Sequence, residues 1–62
     1  MNQKYVLRAD REEGGFWYIV SIAAFGFPIQ TSNIIEATIF NDYESAKSAQ
    51  GTIAGSYDVV EV

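Results

Sequence analysis

The chain has 62 residues, four basic side chains against eight acidic ones, a formal net charge of −4, and neither cysteine nor histidine. A domain of this length hides only about 60% of the surface its unfolded chain exposes, which predicts one domain over residues 1–62 with a thin margin of stability. The missing Cys and His exclude disulfide frameworks, thiolate zinc sites and Cys-His or Ser-His nucleophiles, so no cofactor and no metal is expected.

The cations are Lys4, Arg8, Arg11 and Lys47, and only the first three lie near one another. A phosphate backbone needs a clustered set of Lys and Arg to displace its counterions, so nucleic acid is not the expected partner. An acidic chain can approach basic protein surfaces instead.

Gln3 to Asp10 (QKYVLRAD) places Tyr5, Leu7 and Ala9 on one side and Lys4, Val6 and Arg8 on the other, the alternation of a half-solvated strand. Arg11-Glu12-Glu13-Gly14-Gly15 follows with charge and two glycines that accept positive φ, the pattern of a hairpin connection. Strand two then runs from Phe16 to about Phe25. Closing the hairpin with Asp10 opposite Gly15 sets Tyr5 against Val20, and about ten residues reach roughly 33 Å at the usual rise.

Strand two is apolar at nearly every position. Phe16, Tyr18, Val20 and Ile22 form one face, and Trp17, Ile19, Ala23 and Phe25 the other. A membrane-spanning helix needs about 20 apolar residues. This run is shorter, is broken at Gly26 and Pro28, and is rich in β-branched and aromatic residues, so no membrane segment is expected. The opening MNQKYVLRADREE lacks the basic start and apolar stretch of a signal peptide, and a cytoplasmic location is expected. Past Ile22 the strand overhangs strand one, so Ala23 to Phe27 must pair with a later strand, bend away at Gly26-Phe27-Pro28 or meet another chain, and Pro28 is expected to end regular pairing.

Two similar starts follow, Asn33-Ile34-Ile35-Glu36 and Asn41-Asp42-Tyr43-Glu44, each with a capping side chain three residues before a glutamate. The first precedes Ala37-Thr38-Ile39-Phe40, whose β-branched and aromatic content reads as one turn and then a short extended piece. The second opens a helix over Glu44 to Ile53, with Tyr43, Ala46, Ala49, Gln50 and Ile53 at helical spacing and Gly55 beyond its end. Ser56 to Val62 alternates as a final strand.

The expected fold class is α+β: a small antiparallel β-sheet of three to four strands in the order β-β-β-α-β, with one α-helix packed on one face. One helix covers one face of strand two, which leaves the other surplus. A protein interface at Trp17, Ile19, Phe25 and Phe27 is therefore expected, closed first by a second copy of the chain as a homodimer. The carboxylates Glu36, Asp42 and Glu44 read as helix caps, and Gly14-Gly15 lacks the following helix and Lys-Ser/Thr of a phosphate loop. No catalytic residues stand out, so the chain is not expected to be an enzyme.

The positions Thr31-x-x-Ile34-x-x-Ala37-x-x-Phe40, with Ala46 in a short helix of acidic start, a Lys4-Tyr5-Val6 opening and a Val59-Val60-Glu61-Val62 ending, carry a resemblance. The chain resembles small proteins encoded by phages and prophages of Gram-positive bacteria. That resemblance implies an accessory protein in the host cytoplasm that binds and inhibits or modulates a host protein, for example a component of an anti-phage defence system. The alternative expectation is a structural or assembly subunit of a larger homo-oligomer.

Overall fold

The computed structural model describes residues 3–62. Its elements are strand β1 (Tyr5–Asp10), strand β2 (Phe16–Ile22), a 3-10 turn (Ala24–Gly26), strand β3 (Pro28–Thr31), a second 3-10 turn (Ile34–Glu36), helix α1 (Tyr43–Thr52) and strand β4 (Asp58–Glu61). The strands form one antiparallel sheet in the order β3-β2-β1-β4, with α1 packed against it, an α+β fold.

The β1–β2 hairpin closes one residue away from the expected register: Asp10 faces Phe16, and Ala9 faces Trp17. The reason lies in the connection, where the Arg11 amide donates to the Gly15 carbonyl at 3.2 Å, the Gly14 amide donates to the Arg11 carbonyl at 3.1 Å, and Gly14 and Gly15 both take positive φ, so Gly15 sits opposite Arg11 rather than Asp10.

β2 also ends earlier than expected, at Ile22. It is closed by a second hairpin in which Ile22 pairs with Pro28. Pro28 does not end pairing but begins β3. The Ala23 amide bonds the Phe27 carbonyl at 2.7 Å, so by alternation Pro28 points its backbone away from β2, on an edge strand where a missing donor breaks no ladder bond. The third strand of the sheet is thus Pro28–Thr31, and not the extended piece after Glu36.

That extended piece has another role. β1 and β2 pair only over Arg8–Asp10 and Phe16–Tyr18, then splay apart, and residues 37–40 enter the fork. Thr38 donates its amide to the Ile19 carbonyl at 2.9 Å and its hydroxyl to the Val20 carbonyl, while Tyr5 and Phe40 exchange both backbone bonds at 2.9 and 2.8 Å. The inner edges of both strands keep partners after they part.

A bulge in β2 between Ile19 and Ser21 completes the arrangement. The extra residue reverses the alternation beyond it, so Ile19 and Ile22 both face the helix, and Ser21 is left exposed. The core then gathers Leu7, Ile19, Ala46, Ile53 and Tyr57, with Tyr5, Ala9, Ile22, Phe40, Ala49 and Val59 around them. Ala46 is fully buried, the close approach expected of a helix with so small an apolar face.

α1 begins one residue earlier than expected and uses a different cap. Asp42, not Asn41, accepts from the Ser45 amide at 2.7 Å, while Asn41 accepts from the Lys4 ammonium at 3.0 Å. The Asn33 turn forms as expected, its side chain accepting from the Ile35 amide at 3.0 Å. Its glutamate closes the box through an intermediary: Thr31 Oγ1 accepts from the Asn33 amide at 3.1 Å and donates to Glu36 at 2.8 Å.

Tyr57 anchors β4 to the rest of the sheet, its buried hydroxyl donating to Gln30 Oε1 on β3. Burial raises its phenol above the ordinary 10.0. A group whose folded pKa is raised contributes stability that is intact below the unfolded value and is lost as pH climbs through the folded one. Absorbance titration is therefore expected to show a late tyrosinate step coinciding with loss of secondary structure, and Tyr57→Phe is expected to remove that step. Persistence of the late step in the variant would contradict the assignment.

Candidate functional site: an apolar turn and the cleft beside it

The expected interface residues do not share a surface. Ile19 is 1% exposed at the centre of the core, so it belongs to the helix-covered face and is not available for contact in the folded chain. Trp17 is half-buried on that same side of the sheet, with the Arg11 guanidinium 4.8 Å from its ring.

The opposite face of β2 is not bare either. Phe16 and Tyr18 are half-buried, pack edge to face with ring centroids 6.4 Å apart, and Arg8 lies 3.9 Å over the Phe16 ring. An arginine stem and head cover aromatic surface well. The surplus apolar face expected on strand two is therefore largely closed by its own neighbours, and the exposed apolar surface lies beyond the strand.

It lies at the second hairpin. Phe25 is fully exposed, Phe27 is 68% exposed, and Ile29 on β3 is 47% exposed. Phe25 sits in the 3-10 turn and not on β2, and its backbone takes φ 63, the left-handed region. It is the one non-glycine residue at positive φ among the described residues. An L-residue with a large side chain enters that region at roughly 1–2 kcal/mol, and such outliers persist only where the surroundings over-determine them.

The over-determination comes from Gly26. Its carbonyl accepts from the Ala54 amide at 2.8 Å, just past the end of α1. A Cβ on Gly26 would lie 2.2 Å from the Thr52 carbonyl oxygen, so only glycine permits the turn to rest on the helix end. Phe25 is thus held rigidly outward on a turn clamped at both sides, by the Ala23–Phe27 closure and by α1.

Beside the turn is an open cleft of about 290 Å³ lined by Ile19, Val20, Ser21, Ile22, Thr38, Phe40 and Ala49. Thr38 and Phe40, from the stretch that enters the fork, form one wall, β2 another, and Ala49 of α1 a third. Its walls are mainly apolar.

The charge distribution isolates this end of the molecule. No residue from Gly14 to Ile35 is charged, although the chain carries a net charge of −4. Past the other end of β3, Ile34 and Ile35 are exposed on the Asn33-capped turn.

Among the described residues, no group of three or more His, Cys, Asp or Glu side chains is placed to hold a metal ion, and no helix is long and apolar enough to cross a membrane. The chain matches no protein-family model, no curated protein and no solved structure.

Sequence reasoning found Phe25 and Phe27 but put them on the wrong element. The break at Gly26 and Pro28 is legible in the sequence as a place where the strand can bend away; the close approach of Gly26 to Thr52 has no sequence signal.

Proposed function

We propose that this chain is a non-enzymatic protein-binding accessory protein that self-associates through the Phe25 turn and binds a larger protein through a separate apolar surface. The observation that carries the reading is Phe25 itself: a fully exposed phenylalanine held at φ 63 by a glycine that fits nothing larger. Exposing a phenylalanine does not stabilise an isolated chain, and the left-handed backbone adds strain. A rigid aromatic anchor does favour association, because aromatic residues dominate interface energetics and a preformed conformation lowers the entropy lost on binding.

The second surface, Ile34 and Ile35, lies past the opposite end of β3 from the Phe25 turn and is exposed. The resemblance to phage and prophage accessory proteins makes the larger partner a host protein in the host cytoplasm, and the mode of action inhibition or modulation by contact.

Light scattering coupled to size exclusion tests the first half. The wild-type chain is expected to run as a dimer at micromolar concentration and Phe25→Asp as a monomer with an unchanged far-ultraviolet circular dichroism spectrum. Capture from host lysate tests the second half: a specific host protein is expected with wild-type bait and lost with Ile35→Asp. A wild type that is strictly monomeric and captures nothing overturns the reading.

A further inference from the structure

Phe25 has no place within its own chain: it is fully exposed, on a turn three residues past Ile22, which helps to line the cleft. We infer that the Phe25 ring of one copy inserts into the cleft of a second copy, and the reverse, across a two-fold axis. This rests on the self-association proposed above and specifies how it is made.

Size and chemistry agree. An apolar cavity of about 150 Å³ holds a benzene ring, and the cleft offers about 290 Å³ between Ile22, Thr38, Phe40 and Ala49. A knob three residues past one wall of the hole gives each copy both parts that an isologous interface requires.

Charge selects a second copy as the occupant. Two chains of net charge −4 repel one another except where they meet through neutral surface, and the turn and Ser21 and Ile22 on the cleft wall belong to the charge-free stretch from Gly14 to Ile35. A basic partner would gain nothing there.

The sheet edges do not offer two copies an alternative. On β3, Pro28 removes an outward-facing donor, and four residues make a short template. On β4, Asp58 and Glu61 would bring like charges together if two such edges paired. Side-chain insertion at the uncharged end remains.

Isotope-filtered nuclear magnetic resonance on an equal mixture of labelled and unlabelled chains tests the contact directly. Intermolecular Overhauser effects are expected from the Phe25 ring protons to the Ala49 methyl and the Ile22 methyls. Ala49→Leu, which narrows the cleft from its helix wall, is expected to raise the dimer dissociation constant on the order of 30-fold, the change that loss of a hot-spot aromatic produces, with the circular dichroism spectrum unchanged. A dimer that is lost in Phe25→Asp but shows no such contacts and tolerates Ala49→Leu overturns the insertion while leaving self-association standing. A strict monomer overturns both.

Discussion

Leu7→Ala is expected to leave the chain mostly unfolded at room temperature. Leu7 is fully buried on an interior strand, where the core is built from Ile19 on β2, Ala46 and Ile53 from the helix side and Tyr57 beside β4. Truncating a buried leucine costs about 2–5 kcal/mol, the spread reflecting how far the surroundings collapse into the space. Here collapse is limited, because Ala46 already sits against the sheet with no side chain left to extend. A single core in a chain this small rarely supplies more than about 3–5 kcal/mol, so the loss is comparable with the whole stability. Urea titration followed by circular dichroism at low protein concentration, where self-association adds least to apparent stability, checks this. A cooperative transition with a midpoint close to wild type would show that Leu7 is not the keystone its burial implies.

Gly26→Ala is expected to be the most damaging of the glycine substitutions, and Gly15→Ala is its control. The two glycines have nearly the same φ, 75 and 77, so both variants bear the strain of an L-residue at positive φ, about 1–2 kcal/mol. They differ in their surroundings. Nothing lies within 4 Å of a Cβ on Gly15, whereas one on Gly26 would meet the Thr52 carbonyl at 2.2 Å. That backbone atom cannot yield without moving the end of α1, and the bond from the Ala54 amide to the Gly26 carbonyl would break with it. Overpacking of this kind adds about 1–3 kcal/mol, so the sum for Gly26→Ala is on the order of 2–5 kcal/mol. The difference in unfolding free energy between the two variants isolates the close approach. Equal losses in both would mean that the turn is not clamped to the helix. Where Gly26→Ala still folds, the released turn is expected to weaken the proposed self-association along with stability.

These two variants probe opposite kinds of information. The alternation that places Leu7 toward the core can be read along Tyr5 to Ala9 without any structure. The importance of Gly26 cannot, because it depends on the Thr52 carbonyl, 26 residues away in the chain and adjacent only after folding.

The same division runs through the molecule. Short-range patterns were legible: the hairpin glycines, the capping side chain of Asn33, the helical spacing of Ala46, Ala49 and Ile53, and the alternation leading into β4. Each is fixed by chemistry within a few residues, such as a side chain reaching a nearby amide or the period of a helix or strand. The exact helix cap was less legible, because Asn41 and Asp42 are both competent and Lys4, distant in sequence, engages Asn41.

Strand two shows where local reading stops. Its composition asks for cover on both sides, and the cover it has comes from elsewhere: α1 on the side of Ile19 and Ile22, and Arg8 over Phe16, with Ile19 the one fully buried residue of the strand. The bulge after Ile19, the fork filled by residues 37–40 and the edge position that makes Pro28 harmless each depend on which backbone lies alongside. A one-residue change of register exchanges the two faces of a strand, so two of the four expected interface residues, Trp17 and Ile19, lie on the helix side, and Ile19 is in the core. Local propensity determined the elements and most of their order. Only the pairing of distant backbones decided which aromatic is left in water, because the ladder that satisfies each amide and carbonyl is closed by partners that the neighbouring residues do not name.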